Sequence, residues 1–194
     1  VQAQPVFVAL GAWVLLRERV TRRMVVGIAI AVFGMITMSL GDLLGGVLVG
    51  PRPLYGNGLA LFGAVTAAGY VLAGRSLRQR ISLIPYAVVV YGVCTVTLLL
   101  IVVAEGHPLA GYPPREWALF AGLALGPGLF GHTVLNWALA HVESSVASVS
   151  LLGEPVGATV LAFLLLAEVP TPVTLAGGVV VLAGIALTST GTAG

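Results

Sequence analysis

Three groups of polar residues lie inside long apolar runs, where each costs free energy. Glu154 stands before Pro155 near the middle of the run 146–167. An ionised acid at the centre of a membrane-crossing helix costs about 2.5–3.5 kcal/mol on insertion scales, so its side chain must face protein or water. A carboxylate there could exchange a proton or pair with a substrate amine. The competing reading is a protonated acid that hydrogen-bonds a neighbouring helix. His132 and Asn136 are spaced i, i+4 and share a helix face, with Thr133 and Trp137 as an adjacent stripe. Gly126-Pro127-Gly128 loosens the same run one turn earlier. This combination can line a cavity beside a hinge, or it can supply interhelical hydrogen bonds and close packing. Thr66 and Tyr70, one turn apart in another run, either line the same cavity or pack. Pro155 removes an internal hydrogen bond, so it can expose a carbonyl to a ligand or bend the helix around a neighbour. The candidates for substrate or proton binding are therefore Glu154, His132, Asn136, Tyr70 and Thr66, with Pro127 and Pro155 as hinges.

Other chemistries are not indicated. The sequence has no zinc-ligand spacing, phosphate loop, dinucleotide fingerprint or Ser-His-Asp pattern, so no catalytic residue, metal or cofactor is expected. Cys94 is the only cysteine and lies in an apolar run, which excludes an internal disulfide.

These runs belong in a bilayer. Of the 194 residues 58% are hydrophobic and only 8% charged, against about 25% charged in a soluble domain, and the mean hydropathy is +1.07. Such a chain cannot cover a water-facing surface. The net charge of +2 rests on nine arginines placed between apolar runs rather than in one patch. They set topology; nucleic acid is not an expected partner.

Seven apolar segments follow: 4–16 (partial), 24–41, 57–74, 84–104, 117–139, 146–167 and 173–190. In lipid a single segment satisfies its backbone polar groups only as a helix. Pro114 and the pair Thr171-Pro172 mark helix starts. The first connection holds Arg17, Arg19, Arg22 and Arg23, and the third holds Arg75, Arg78 and Arg80, which makes both cytoplasmic. Alternation then places the C-terminus in the cytoplasm. Trp117 and Trp137 are expected as interfacial anchors.

The stretch 154–184 repeats one at the start. Pro5 matches Pro155, Glu18 matches Glu168, Thr21 matches Thr171, Gly27 matches Gly177 and Gly34 matches Gly184, all at an offset of 150 residues. Five crossings separate the copies, so they run in opposite directions through the membrane, the organisation of many secondary transporters. Glu18 and Glu168 end their helices, where an anion is unfavourable. Their expected job is structural: pairing with arginine, or bonding the N-terminal amides of the next helix. The glycines are expected at close helix contacts. The later copy has an apolar lead-in from Val146, whereas four residues precede Pro5. The sequence is therefore expected to begin in mid-helix, with upstream helices absent.

Pro-Val, an apolar run ending in Glu, then Thr, then two glycines seven apart, as at Pro155, Glu168, Thr171, Gly177 and Gly184, resembles the closing two helices of an EamA domain of the drug/metabolite transporter superfamily. The resemblance implies an all-α integral membrane protein, a helical bundle with inverted-topology repeats, of which this chain covers about the last seven of ten helices. Residues 1–41 would be the last two helices of the first repeat, 42–56 a periplasmic linker, 57–190 the second repeat of five helices and 191–194 a C-terminal tail. The function expected is secondary transport, as an exporter, of small metabolites such as amino acids or related polar or amphipathic compounds by alternating access. The partners are a small-molecule solute, the lipid bilayer and protons as coupling ion, with the absent N-terminal helices or a second copy completing the assembly. The expected location is the bacterial cytoplasmic (inner) membrane. An intramembrane enzyme, which would need His132 and Glu154 within hydrogen-bond reach, and a non-transporting membrane scaffold are the alternatives.

Overall fold

The computed structural model describes residues 3–18, 20–44 and 53–191, and among them every regular element is helical. A short helix α1 (Gln4–Gly11) ends in a π-helical turn (Ala12–Leu16), followed by α2 (Arg22–Leu44), α3 (Pro53–Arg78) and α4 (Leu83–Ala104). Helix α5 (Pro114–Leu123) passes through a π-helical segment (Ala124–Gly131) into α6 (His132–Ala138). Helix α7 (Ser144–Ser150) passes through a 3₁₀ turn (Leu151–Gly153) into α8 (Glu154–Leu166), and α9 (Pro172–Ser189) closes the chain. The seven expected segments are thus all helical. Six described stretches are long and apolar enough to cross a bilayer, and Gln4–Leu16 is a shorter apolar helix. The expected linker 42–56 is partly helical, since α2 reaches Leu44 and α3 starts at Pro53; its residues 45–52, and 192–194 of the tail, lie outside the described residues.

Helix α4 shows why the solvent must be hydrocarbon. Its mean hydropathy is 2.7 and none of its most apolar stretch is buried by protein. Ile84, Val88, Val93, Val96 and Leu100 are each more than half exposed. A helix that is apolar all round over this length and uncovered by the rest of the chain is suited to a membrane span.

The chain divides into two compact units, 1–73 with 142–194, and 74–141. The first is built on the antiparallel pair α2 and α9. A Cβ added at Gly27 would lie 2.8 Å from the Gly184 carbonyl oxygen, and one at Gly184 would lie 2.7 Å from that of Gly27. Gly34 and Gly177 face each other in the same way, at 2.8 Å in both directions. The next position repeats as well, since a Cβ at Gly41 would meet the Thr174 amide nitrogen at 2.6 Å and one at Gly191 that of Met24 at 3.0 Å. Only glycine lets two backbones approach this closely, and in lipid such packing is what holds helices together. The glycines of the repeat therefore sit where expected, and Gly41 with Gly191 extends the register. Around them Ile28, Ala31, Met35, Met38, Val149, Leu152 and Val181 form the core.

The repeat extends to backbone conformation. Arg17 and Ala167 both end their helices in the left-handed region at φ 56, ψ 26. In each copy the amides of this residue and the next reach back to one carbonyl, Ala12 for Arg17 and Glu18, Ala162 for Ala167 and Glu168. No glycine relieves the turn, so each copy carries a mildly strained C-cap at the same place. Immediately before each following helix a threonine caps it: Thr171 Oγ1 accepts from the Thr174 amide at 3.1 Å, and Thr21 Oγ1 from the Met24 amide at 3.3 Å.

In the second unit the end of α3 clamps the end of α6. Arg75 Nη1 donates to the Leu139 carbonyl at 3.0 Å, Arg78 Nε donates to that of Asn136 at 2.9 Å, and Arg78 Nη1 also donates to the Ile81 carbonyl. The Asn136 and Leu139 carbonyls are among those α6 leaves unpaired at its C-terminus, where a cation is also favoured by the dipole. Two of the arginines read as topology markers thus have a structural job too. Tyr91 and Thr133 link α4 to α6 through their hydroxyls at 2.9 Å.

Candidate functional site

The span Ser144–Leu166 changes its hydrogen-bond pattern part-way along. Pro155 has no N–H to continue the helical ladder, and the chain tightens into the 3₁₀ turn Leu151–Gly153 just ahead of it. The restart puts Glu154 in the first turn of α8. The Glu154 amide donates to the Leu151 carbonyl, so the 3₁₀ turn runs directly into α8. Glu154 is exposed, and among the described residues its carboxylate makes no hydrogen bond or ion pair. Its repeat partner Gln4 is buried, only 8% exposed. An exposed carboxylate in the first turn of α8 can bind a proton or an ammonium group, and it is not bonded to Thr66 or Tyr70 of the same unit.

Thr66 spends its hydroxyl on its own helix, donating to the Phe62 and Gly63 carbonyls at 3.1 and 3.0 Å. Tyr70, one turn on, is half-buried. Pro155 helps to line a cavity of about 510 Å³ between α8, α2 and α9, which reaches Glu168 and does not include Glu154.

In the second unit, Pro127 is the centre of the π-helical segment Ala124–Gly131. The widened turn absorbs a residue that cannot donate. Immediately after it, His132 is exposed and Asn136, one turn on, is fully buried. The two share a face yet stand in different surroundings: His132 lies open, while Asn136 sits under the Arg78 guanidinium, which is bonded to its backbone. Thr133 turns to Tyr91, and Trp137 stacks on His141 with ring centroids 4.5 Å apart. Trp117 joins Tyr112 and Phe120 in an edge-to-face cluster at the start of α5. No group of His, Cys, Asp and Glu suited to a metal occurs among the described residues.

Glu18 takes a role that its position in the sequence does not reveal. Its carboxylate accepts the Ser144 amide, at 3.2 Å to Oε2 and 3.4 Å to Oε1, and the Ser144 hydroxyl at 2.6 Å. It holds the first turn of α7, not of the helix that follows it. Arg75, Arg78, Tyr91 and Ser144 were missed as site-building residues. The i, i+3 spacing of the two arginines at a helix end was the one signal that pointed to a clamp.

Six described helices long and apolar enough to cross a bilayer, with two of them meeting on the repeated glycines in antiparallel register, define a multi-pass helical membrane protein built on a repeat. The model of the EamA-like transporter family matches residues 54–190. A probable terminal-alkyne amino-acid exporter of Streptantibioticus cattleyicolor is 32% identical over 192 residues, covering 98% of this chain and 62% of that protein. An uncharacterized transporter of Archaeoglobus fulgidus is 31% identical over 191 residues, covering 93% of this chain and 62% of that protein. No solved structure matches. The chain belongs to the EamA-like transporter family and spans about three fifths of the length of these curated relatives.

Proposed function

We propose that this chain is part of a secondary transporter that exports small metabolites such as amino acids from a bacterial cell by alternating access across the inner membrane, with its C-terminus in the cytoplasm. The observation that carries the reading is Glu154: an uncommitted carboxylate just after a 3₁₀ turn within a membrane-length helix, where polarity has no packing role to explain it. Family membership and the Streptantibioticus relative's description as a probable amino-acid exporter support the solute class.

In this reading Glu154 exchanges the coupling proton or pairs with the solute's ammonium group. His132, Asn136, Tyr70 and Thr66 offer hydrogen bonds along the spans they occupy, and the interruptions at Pro127 and Pro155 absorb the bending of alternating access. Residues 1–41 close a first repeat, 57–190 form the second, 42–56 is the periplasmic linker between them and 191–194 the tail. Further N-terminal helices complete the first repeat, and a homodimer is the other route to a complete pathway. No step of this reading requires a cofactor or bond-making chemistry.

The test uses full-length protein in vesicles with an imposed pH gradient. Gradient-driven amino-acid flux that falls to the protein-free level in Glu154→Gln supports the assignment. Flux that keeps its dependence on the gradient in that variant removes Glu154 from the coupling step.

A further inference from the structure

One end of the first unit gathers positive charge without negative charge to meet it. Arg17 ends the π-helical turn after α1, and Arg22 and Arg23 open α2. All three are exposed, and among the described residues none of their guanidinium groups makes a hydrogen bond or ion pair. Two carboxylates belong to the same end. Glu18 is spent on Ser144 at the start of α7, and Glu143, which precedes that helix, is engaged by none of these arginines. The first turn of α2 contains no acidic residue, and the dipole of a helix makes its start positive, the place where arginine is least favoured. Thr21 is no help, because its hydroxyl accepts from the Met24 amide and donates to the Gly191 carbonyl. The three cations therefore repel one another until an anion from outside the chain joins them.

Beyond the charge the same surface turns apolar. Arg22, Val26, Ala29, Phe33 and Ile36 follow one another at helical spacing and share one face of α2. All five are exposed, with Val26, Phe33 and Ile36 at least half so, and Leu15, two residues before Arg17, is 71% exposed. Helix α2 is long and apolar enough to cross a bilayer, so this face meets acyl chains and the arginines at its end stand at headgroup depth. A soluble anion would make no use of the apolar stripe. A molecule that carries a phosphate above an acyl chain matches both parts.

We propose that Arg17, Arg22 and Arg23 form a docking surface for an anionic phospholipid, its phosphate among the three guanidinium groups and one acyl chain along the face of α2 that carries Val26, Phe33 and Ile36. Arginine suits this partner, since its planar fork matches two phosphate oxygens at once. A basic side chain near an anionic headgroup strengthens the attraction about fivefold. Arg115 supplies the contrast within the chain. It too is exposed in the first turn of a helix, α5, but Glu116 stands next to it in the same turn and no second arginine is near in sequence. The inference concerns the lipid contact and does not depend on transport.

Full-length protein in detergent, titrated with phosphatidylglycerol or phosphatidylcholine and read by native mass spectrometry, tests this. The wild type should retain phosphatidylglycerol in preference to phosphatidylcholine, and added salt should weaken the preference. Arg17→Gln, Arg22→Gln and Arg23→Gln should each reduce it about fivefold, and Arg115→Gln should leave it unchanged. Arg22→Lys combined with Arg23→Lys should keep most of it, because the charge remains, and this separates charge from any loss of fold. Equal retention of phosphatidylglycerol by the wild type and the triple glutamine variant overturns the proposal, as does equal retention of the two lipids by the wild type. Displacement of the bound lipid by an excess of inorganic phosphate also overturns it, in favour of a soluble anion.

Discussion

An alanine at Gly34 would place its Cβ 2.6 Å from the Val181 amide nitrogen and 2.8 Å from the Gly177 carbonyl oxygen. Ordinary contacts of a Cβ begin at 3.4 Å, and both of these atoms are backbone, so no side chain can rotate aside. Helices α2 and α9 must part by ~0.6–0.8 Å, and a gap of that size forfeits roughly a quarter to a half of the dispersion attraction of the contacts it opens. Overpacking of this kind costs about 1–3 kcal/mol, partly offset by alanine's better helix propensity. Gly92→Ala is the matched control, because a Cβ there has nothing within 4 Å. That change should be neutral or stabilise by up to about 1 kcal/mol. Unfolding in detergent micelles followed by tryptophan fluorescence should rank Gly34→Ala below Gly92→Ala by about 1–3 kcal/mol, with Gly184→Ala behaving like Gly34→Ala. Equal stability of Gly34→Ala and Gly92→Ala would refute the close approach of α2 and α9.

Other contacts give sharper local tests. Glu18→Ala removes the acceptor for the Ser144 amide and hydroxyl and should cost about 2–4 kcal/mol, with Glu18→Gln losing roughly half as much because one amide oxygen remains; hydrogen exchange should localise the loss to α7. Arg78→Ala leaves the Asn136 and Ile81 carbonyls without their donor and should cost about 1.5–3 kcal/mol. Arg78→Lys should recover only part of it, since a point-charge ammonium cannot reach both carbonyls as the fork does. A double-mutant cycle on Tyr91→Phe and Thr133→Val should give a coupling of about 0.6 kcal/mol, the usual size for a hydroxyl pair between membrane helices. A coupling of zero removes that bond from the account.

What the sequence revealed depended on range. The seven helices follow from hydropathy and the need to close backbone hydrogen bonds in lipid, and the glycine contacts follow from an identity repeated at a fixed offset. Thr171 was recognisable as a cap because its partner is three residues away. Ser144, the partner of Glu18, is 126 residues distant, and nothing local to either residue announces the other. The left-handed caps at Arg17 and Ala167 were hidden because neither is the glycine that usually marks such a turn. At the candidate site, Pro155 foretold an interruption of the α-helical ladder but not that a 3₁₀ turn at Leu151–Gly153 would carry it. The i, i+4 rule put His132 and Asn136 on one face, yet only the placement of Arg78 explains why one is open and the other buried.

The central claim is transport by a chain of this family with Glu154 as its working acid. The direct measurement is efflux from liposomes holding purified full-length protein and loaded with a labelled amino-acid panel, with a pH gradient imposed in either direction. The account predicts that at least one amino acid leaves faster than from protein-free liposomes, that reversing the gradient reverses the effect, and that Glu154→Gln abolishes the dependence. Release at the protein-free rate for every solute under both gradients, from protein that is folded by its tryptophan emission, would contradict it.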